Sequence, residues 1–384
     1  MLKSLTRLWI SGMQQAAKAQ RSQQKKLLKS LLPKPARKVA RSIVKPAVKK
    51  PAAGIPRPVS KAKPAAAAKS AAVAPGFAAR LPGKWMAFYY ASLSDAGALP
   101  ARRMQYWVYM PANMPAGPLP MVLMLHGCEQ TAAEFAQGTR MNALAEEKGF
   151  AVVYPQQSLR GHSRRCWHWY ERSTQEGGDD VRLIAGIIDK VCASYPIDRG
   201  RVYVAGISAG AGMANILALR HPDKVAAVGL HSGPVFGGGH SKTGAYGVMQ
   251  LGAGHLADQA IRGIMLKAAA FPVMPAILIH GREDRIVRRI NQEQLALQFR
   301  VLNGLGPDSA APPIDRPART SGAKQAHAFR ISDYRRGRKL LLRVCDVQQL
   351  EHAWSGGDCN LKYNACKGPD ASRMMWDFFS RHRR

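Results

Sequence analysis

Acidic residues are missing from the start of this chain, where the first carboxylate is Asp95. Residues 1–70 carry 18 Lys and Arg and seven Pro, in runs rich in Ala and Pro. Like charges repel, and the apolar content is too low to offset the entropy lost on ordering. The composition therefore predicts a largely disordered basic arm over residues 1–77 and a compact domain over residues 78–384.

Long apolar runs and metal-binding cysteine pairs are missing as well. No run approaches the roughly 18 apolar residues of a membrane-spanning helix. The apolar stretch at residues 5–13 is interrupted by Arg7, Ser11 and Gly12, so the pattern does not predict a secretory signal. No Cys-x-x-Cys pair is present, which argues against a structural zinc site. No internal repeat is visible.

The cysteines leave the compartment open. Six cysteines allow 15 pairings. Cys359 and Cys366 bracket a short loop, and Cys128 and Cys166 fall in loops near the site proposed below; the other two are Cys192 and Cys345. Disulfides would indicate an oxidising compartment. The missing signal instead favours an intracellular, granule-associated location, and the sequence does not decide between the two.

Three interpretations of the basic arm stay open. It is compatible with a solvated, mobile segment. It is also compatible with amphipathic helices that lie on an anionic or apolar surface such as a granule or membrane. Their apolar faces would be Leu2, Leu5, Leu8, Trp9 and Met13, and Leu27, Leu28, Leu31 and Leu32. Its charge density would support nonspecific polyanion binding, but no specific nucleic-acid partner is predicted.

From about residue 100 onward, strand-like and helix-like segments alternate. Continuous apolar strands between amphipathic helices are typical of a mostly parallel sheet covered on both faces, an α/β fold. We predict strands at 106–110, 121–125, 151–154, 201–205, 225–230, 276–279 and 340–344, and helices at 141–148, 181–192, 213–219 and 374–379.

The pentapeptide Gly-x-Ser-x-Gly at residues 206–210 lies directly between a predicted strand and a predicted helix. A nucleophilic serine must project from a sharp strand-to-helix turn, which small flanking residues permit. The N-terminus of the following helix places partial positive charge beside a developing oxyanion. Ser208 is therefore the candidate nucleophile of a serine hydrolase, although such a motif is also found in ordinary turns.

A serine nucleophile needs a base and an acid that orients the base. In this fold class the partners come in the chain order Ser, Asp or Glu, His, each on a loop after a strand. Asp284 follows the predicted strand 276–279, at the strand end where sites in open α/β sheets gather. His352 opens a glycine-rich loop after the strand 340–344. The competing candidates are Glu283, Asp258 and Asp223 for the acid, and His327 and His382 for the base.

Two backbone N–H groups are needed to stabilise the oxyanion. One comes from the residue after the nucleophile, Ala209. The other is expected from Cys128, in the loop that follows the strand 121–125. Its side chain would serve only as a tether that holds this loop in place.

These residues together resemble the polyhydroxybutyrate depolymerase-type esterases of the α/β-hydrolase superfamily, whose relatives include feruloyl and acetylxylan esterases. The resemblance runs from residue 125 to residue 357, and residues 1–77 lie outside it. The stretches that carry it are Leu125-His126-Gly127-Cys128-Glu129-Gln130-Thr131, Asn142-Ala143-Leu144-Ala145, Val152-Val153-Tyr154-Pro155, Cys166-Trp167-His168-Trp169, the pentapeptide of residues 206–210 with the strand before it, and His352-Ala353-Trp354-Ser355-Gly356-Gly357.

The resemblance implies that Ser208 attacks a carboxylic ester, that His352 carries its proton and that Asp284 orients the imidazole. It also implies an acyl-enzyme intermediate and no cofactor. His168 stands where the family usually has Asn, so the role of that position is in doubt. Trp167, Trp169 and Trp354 could form an apolar platform for an acyl chain or polymer strand, or could be core residues.

The expected function is hydrolysis of a polyhydroxyalkanoate or of its soluble oligomers. Feruloyl or acetyl esters of plant polysaccharide are an alternative substrate class. A hypothesis of another class is a granule-, membrane- or nucleic-acid-binding protein that acts through its basic arm.

Overall fold

The structure is a computed structural model that describes residues 81–92, 102–267, 271–319 and 326–384. The arm predicted over residues 1–77, with its two leucine-rich faces, lies outside the described residues. No helix within the described ranges is both long enough and apolar enough to cross a membrane.

Ten strands form one sheet, and two short strands form a separate pair. The strands are β1 (Lys84–Ala91), β2 (Arg103–Met110), β3 (Leu119–Leu125), β4 (Ala151–Gln156), β5 (Ile197–Ile207), β6 (Ala227–His231), β7 (Ala276–Gly281), β8 (Ile314–Arg316), β9 (Phe329–Arg336), β10 (Lys339–Val347), β11 (Trp354–Ser355) and β12 (Asn364–Ala365). The large sheet has the order β1-β2-β4-β3-β5-β6-β7-β10-β9-β8. Its six central strands, from β4 to β10 in that order, run parallel, while the strands outside them are antiparallel.

Helices cover both faces of this sheet. They are α1 (Ala132–Thr139), α2 (Met141–Lys148), α3 (Arg172–Gln175), α4 (Asp180–Ser194), α5 (Ala209–Arg220), α6 (Lys242–Leu251), α7 (His255–Lys267), α8 (Ile290–Leu302) and α9 (Ala371–Phe379). The buried side chains of α4 to α8 belong to one hydrophobic cluster, and those of α1, α2 and α9 belong to a second. Every residue of β3 is buried, as expected for a parallel strand between two helical layers.

The predicted α/β class is confirmed, and each predicted strand and helix is present, with ends that differ by a few residues. The strand predicted at 225–230 is β6, which extends to His231 and so brings that histidine into the sheet. Prediction missed the edge strands β1 and β8, the strand β9 next to β8 and the two short strands β11 and β12. Among the helices of the described residues it also missed five, α1, α3 and α6 to α8.

Candidate active site

Ser208 lies at the turn that joins β5 to α5, at the carboxyl edge of the sheet. Its backbone angles are φ 56° and ψ −125°, a conformation rarely adopted outside glycine. Such a conformation costs about 1–3 kcal/mol and persists only where the surroundings fix it. The Ser208 N–H donates to His231 O at 3.0 Å, which ties the turn to β6. The serine is half-buried.

The two glycines of the motif allow the chain to approach the end of β3 closely. A Cβ at Gly206 would lie 2.5 Å from the carbonyl of Gly210 and 2.8 Å from Leu125 O. A Cβ at Gly210 would lie 2.5 Å from His126 O. Because these contacts are with backbone, no side-chain rearrangement could relieve them. The glycines therefore bring the serine turn up against the loop that follows β3.

Asp284 and His352 are brought together from the ends of β7 and β10. His352 Nδ1 lies 2.7 Å from Asp284 Oδ2. The other carboxylate oxygen, Oδ1, accepts the N–H groups of Ile286 and Val287, each at 2.9 Å. The Asp284 side chain is fully buried and that of His352 is 11% exposed. An acceptor at Nδ1 holds the imidazole in the tautomer that leaves Nε2 free as a base.

The electrostatic surroundings keep Asp284 ionised. Burial acts to raise the pKa of its carboxyl, but the hydrogen bond from His352, the nearby rings of His352 and His280, and the Val287 N–H outweigh burial and lower it. Burial lowers the pKa of His280, whose Nε2 lies 2.7 Å from Val287 O and 3.6 Å from Asp284 Oδ2. His280 is thus a neutral group that closes the turn carrying Asp284.

The competing acids and bases lie elsewhere. Glu283 points to solvent as an exposed residue, Asp258 pairs with Arg262 on α7, and Asp223 is 69% exposed. His327 contacts Gln349, and His382 lies after α9. Only Asp284 and His352 of these candidates are joined to each other.

His231 connects the serine to the loop that carries His352. Its carbonyl accepts the Ser208 N–H, and its ring Nε2 accepts the Ser355 N–H at 3.1 Å. Burial, together with His280 and His352, lowers the pKa of His231 to about 3, so Nε2 stays unprotonated and able to accept. No hydrogen bond joins Ser208 to His352 within the described part of the chain, and such bonds often form only once substrate is bound.

The loop after β3 carries the predicted oxyanion donor. His126 is fully buried and accepts the Gln157 N–H at Nε2, so its Nδ1 proton faces Gly127 O at 2.8 Å. Burial lowers the pKa of His126 to about 4. Neither the Cys128 N–H nor the Ala209 N–H donates to another group in the part of the chain that the structure describes. Both donors remain available to a ligand.

Two disulfides tie the loops around this edge, Cys128–Cys166 and Cys359–Cys366. Glu129, next to Cys128, accepts hydrogen bonds from Arg164 Nε at 2.8 Å and from the hydroxyl of Tyr363. One carboxylate therefore joins the loop after β3, the loop of Cys166 and the loop between the second pair of cysteines. This arrangement holds the Cys128 N–H in position.

The three tryptophans predicted as a possible apolar platform are buried in the structure. Trp167 is fully buried, and its Nε1 donates to His126 O at 2.9 Å. Trp354 is 1% exposed and stacks on His231 with ring centroids 5.1 Å apart. Trp169 is 5% exposed and packs against α5 at Gly212. The three rings support the loops of the site from within the core, the alternative weighed in the sequence, and offer no apolar surface to a polymer.

His168, at the position that departs from the family pattern, is partly exposed, with Nδ1 4.0 Å from Asp180 Oδ2. Its ring lies 5.3 Å from that of His162. No group of three His, Cys, Asp or Glu among the described residues could hold a metal ion.

Sequence reasoning missed His231, His280 and Glu129 as residues that position the site. The signal for the first two is their location, since each is a polar residue in the last two positions of a buried parallel strand. Glu129 offers no such signal, because its partners Arg164 and Tyr363 are distant in sequence.

A mostly parallel sheet with a serine turn after β5, a carboxylate after β7 and a histidine after β10 is an α/β-hydrolase. The family described as Esterase PHB depolymerase matches residues 104–317, more than half of the chain, and the chain belongs to this family.

Two known relatives and one solved structure illustrate the similarity. Poly(3-hydroxyalkanoate) depolymerase C of Paucimonas lemoignei is 33% identical over 221 residues, 56% of this chain and 51% of the relative. Probable acetylxylan esterase A of Neosartorya fischeri is 34% identical over 143 residues, 37% of this chain and 38% of the relative. The chain thus spans about half or less of the length of these relatives. The acetyl xylan esterase structure from Aspergillus awamori, 18% identical with a TM-score of 0.57 over 77% of this chain and 99% of that one, shows the shared fold.

Proposed function

We propose that this protein hydrolyses carboxylic esters through an acyl-enzyme intermediate formed on Ser208. The observation that carries the proposal is the 2.7 Å contact between His352 Nδ1 and Asp284 Oδ2, at the same sheet edge as the strained serine. In this mechanism Ser208 Oγ attacks the ester carbonyl as His352 Nε2 accepts its proton. Asp284 stabilises the resulting imidazolium.

The tetrahedral intermediate needs donors for its oxyanion. We assign this role to the N–H groups of Cys128 and Ala209, since both are unused within the described residues. The protonated His352 then delivers its proton to the leaving alcohol, which departs and leaves the acyl group on Ser208. A water molecule, deprotonated by the same imidazole, hydrolyses that ester and restores the serine.

Replacing Ser208 with Ala tests this function. On p-nitrophenyl butyrate we expect kcat/KM to fall by about 10⁵-fold or more, since triad members act as a unit. Ser332→Ala, on β9 and remote from the site, is the matched control and should retain the activity of the parent protein. Hydrolysis that persists in Ser208→Ala at the rate of the control would refute the assignment.

For the substrate we propose a short-chain polyhydroxyalkanoate or its oligomers. The match to a relative named as a depolymerase extends over 221 residues, against 143 residues for a relative named as an acetylxylan esterase. The test compares release of 3-hydroxybutyrate units from polymer film and soluble oligomers with release of acetate from acetylated xylan and of ferulate from its methyl ester. Faster release from either plant-type ester would favour the alternative substrate class.

We further propose that the basic arm of residues 1–77 attaches the enzyme to an anionic or apolar surface such as a granule or membrane. Its support is composition alone, 18 Lys and Arg without a carboxylate in residues 1–70. Co-sedimentation with polymer granules and anionic vesicles should be lost on deletion of the arm. Attachment through charge should weaken steeply as salt rises, whereas apolar attachment should not. A cellular role that survives Ser208→Ala but not the deletion would identify a binding protein instead of an enzyme.

A further inference from the structure

A second site is visible at the amino-terminal edge of the sheet, opposite the edge that carries Ser208. A cavity of about 380 Å³ lies there between the hairpin that joins β9 to β10 and the segment that follows α9. Its lining is almost entirely cationic, and no carboxylate contributes to it. The lining residues are Arg335, Arg338, Lys339, Leu340, Arg381, His382 and Arg383.

Three of these cations lack a counter-charge. Arg338, Lys339 and Arg381 form no ion pair with any part of the chain that the structure describes, and all three are exposed. Arg383 is better matched, because its guanidinium lies 3.0 Å from Asp198. Arg335 is only weakly paired, at 3.6 Å from a carboxylate of β9 that another arginine already holds. The cavity therefore keeps a net positive charge.

The hairpin places like charges opposite each other. Arg336 and Lys339 are direct cross-strand partners at its tip. Like charges in this arrangement destabilise a strand pair. The turn between them consists of Gly337, with φ 57°, and Arg338, so a third cation is held at the same point. An anion bound beside the tip would remove this repulsion.

A buried polar atom in the lining also lacks a partner. His382 Nε2 is buried and has no hydrogen-bond partner among the described residues. The residue is fixed from two other sides, because its carbonyl accepts the hydroxyl of Tyr203 at 2.8 Å and its ring lies 4.6 Å from that of Phe378. Buried polar atoms in folded proteins are normally paired. Because His382 lines the cavity, we expect its ring to turn when a ligand binds, so that Nε2 donates to a ligand oxygen.

We propose that this cavity binds a compact oligophosphate, a ligand that the hydrolytic site does not use. Arginine presents a planar fork of donors that matches phosphate oxygens in pairs, and two unpaired arginines here come from different chain segments. A concave cavity of this volume suits a short chain of phosphates. A nucleic-acid duplex would instead require an extended basic stripe that runs along its phosphate backbone.

The test measures binding of inorganic tripolyphosphate to the full-length protein by calorimetry at constant ionic strength. The informative variant is Arg338→Gln/Arg381→Gln, which removes two exposed charges from the two walls of the cavity. Arg316→Gln/Lys367→Gln is the matched control, because it removes two exposed charges elsewhere. Activity on p-nitrophenyl butyrate verifies that each variant is folded.

We expect one saturable site whose Kd rises at least tenfold in the cavity variant and stays unchanged in the control. Equal weakening in both variants would show diffuse attraction to a basic protein and would overturn the proposal. So would binding of tripolyphosphate no tighter than that of sulfate. A DNA duplex that displaces tripolyphosphate at equal phosphate concentration, and that loses the same tenfold in the cavity variant, would assign the surface to nucleic acid instead.

Discussion

The two edges of the large sheet differ in how their charged and titratable groups are paired. At the carboxyl edge, both oxygens of Asp284 are occupied by donors, and the buried ring of His231 is kept neutral. At the amino edge, exposed cations such as Arg338 and Arg381 face a cavity without a carboxylate. The catalysis proposed for the carboxyl edge requires groups that are fixed before substrate arrives, so partners within the protein hold them. A ligand-binding site can keep unpaired charges because the bound ligand neutralises them.

Substitutions of two buried carboxylates should show the largest difference between the two edges. Asp284→Asn keeps the shape of the side chain but removes the charge that orients His352, and we expect kcat to fall by about 10⁴-fold. Asp333, held by Arg343 at 2.7 Å from both oxygens, is the matched control. Asp333→Asn should lower the free energy of unfolding by roughly 2 kcal/mol and leave kcat unchanged. Both quantities follow from steady-state kinetics and urea denaturation.

If Asp284→Asn lowered the free energy of unfolding without lowering kcat, Asp284 and Asp333 would have the same, purely structural role. It would remove the distinction between the edges, and with it the assigned role of Asp284.

The disulfide at the carboxyl edge offers the next test. Cys128→Ala/Cys166→Ala frees the loop whose Cys128 N–H is the proposed oxyanion donor, while the N–H itself remains. Loss of one such donor costs about 10²–10³ in kcat, so a loosened donor should cost roughly tenfold. Cys359→Ala/Cys366→Ala opens a loop that contacts Glu129 and, through β12, the loop of His352, but it leaves the Cys128–Cys166 tether intact and should change kcat less. Equal losses of kcat in the two variants would mean that the Cys128–Cys166 disulfide does not hold the Cys128 N–H in position.

Two histidines with lowered pKa values allow the edges to be compared directly. Burial lowers the pKa of His231 to about 3 and that of His382 to about 4. His231→Phe preserves a ring against Trp354 but leaves the Ser355 N–H without its acceptor. Because that N–H holds the loop of His352, we expect kcat to fall about tenfold with KM unchanged.

His382→Phe should leave kcat unchanged and weaken tripolyphosphate binding instead. If His231 only packs against its neighbours, His231→Phe should lower Tm but leave kcat unchanged at temperatures well below Tm. This outcome would distinguish packing from positioning. Unaltered kcat in His231→Phe would show that the serine and the histidine loop do not depend on this link.

The sequence predicted the scaffold of the carboxyl edge and little of the amino edge, for physical reasons. The proposed roles of Ser208, Asp284 and His352 follow from local patterns, because each residue lies in the turn or loop that follows a strand with a strong apolar signal. Edge strands such as β8, whose three residues are all exposed, carry no such signal. The tryptophans were ambiguous, because ring size predicts neither exposure nor burial. The basic cavity joins residues about 40 positions apart, and no period in the sequence indicates that contact.

Stability against acid provides the last comparison. Burial lowers the pKa of His126, His231 and His280 in the folded protein, whereas in the unfolded chain their pKa is near 6.5. As pH falls from about 6.5 toward 4, the unfolded chain binds protons that the folded protein does not. Over this window His126 and His231, whose pKa values in the folded protein are about 4 and about 3, should each remove up to about 1.4 kcal/mol of unfolding free energy per pH unit, and His280 should act in the same direction.

Asp284, whose pKa is lowered, contributes only in a more acidic window, because its stabilisation is lost as pH falls below the ordinary range of a carboxyl. Urea denaturation at several pH values between 7.5 and 4.5 checks the sign. The slope of unfolding free energy against pH should be shallower in His280→Phe than in the parent protein, and His255→Gln, at an exposed position on α7, is the control. A slope in His280→Phe equal to that of the parent protein would mean that this histidine is protonated in the folded state. It could not then serve as the neutral support of Asp284 that separates the catalytic edge from the cationic one.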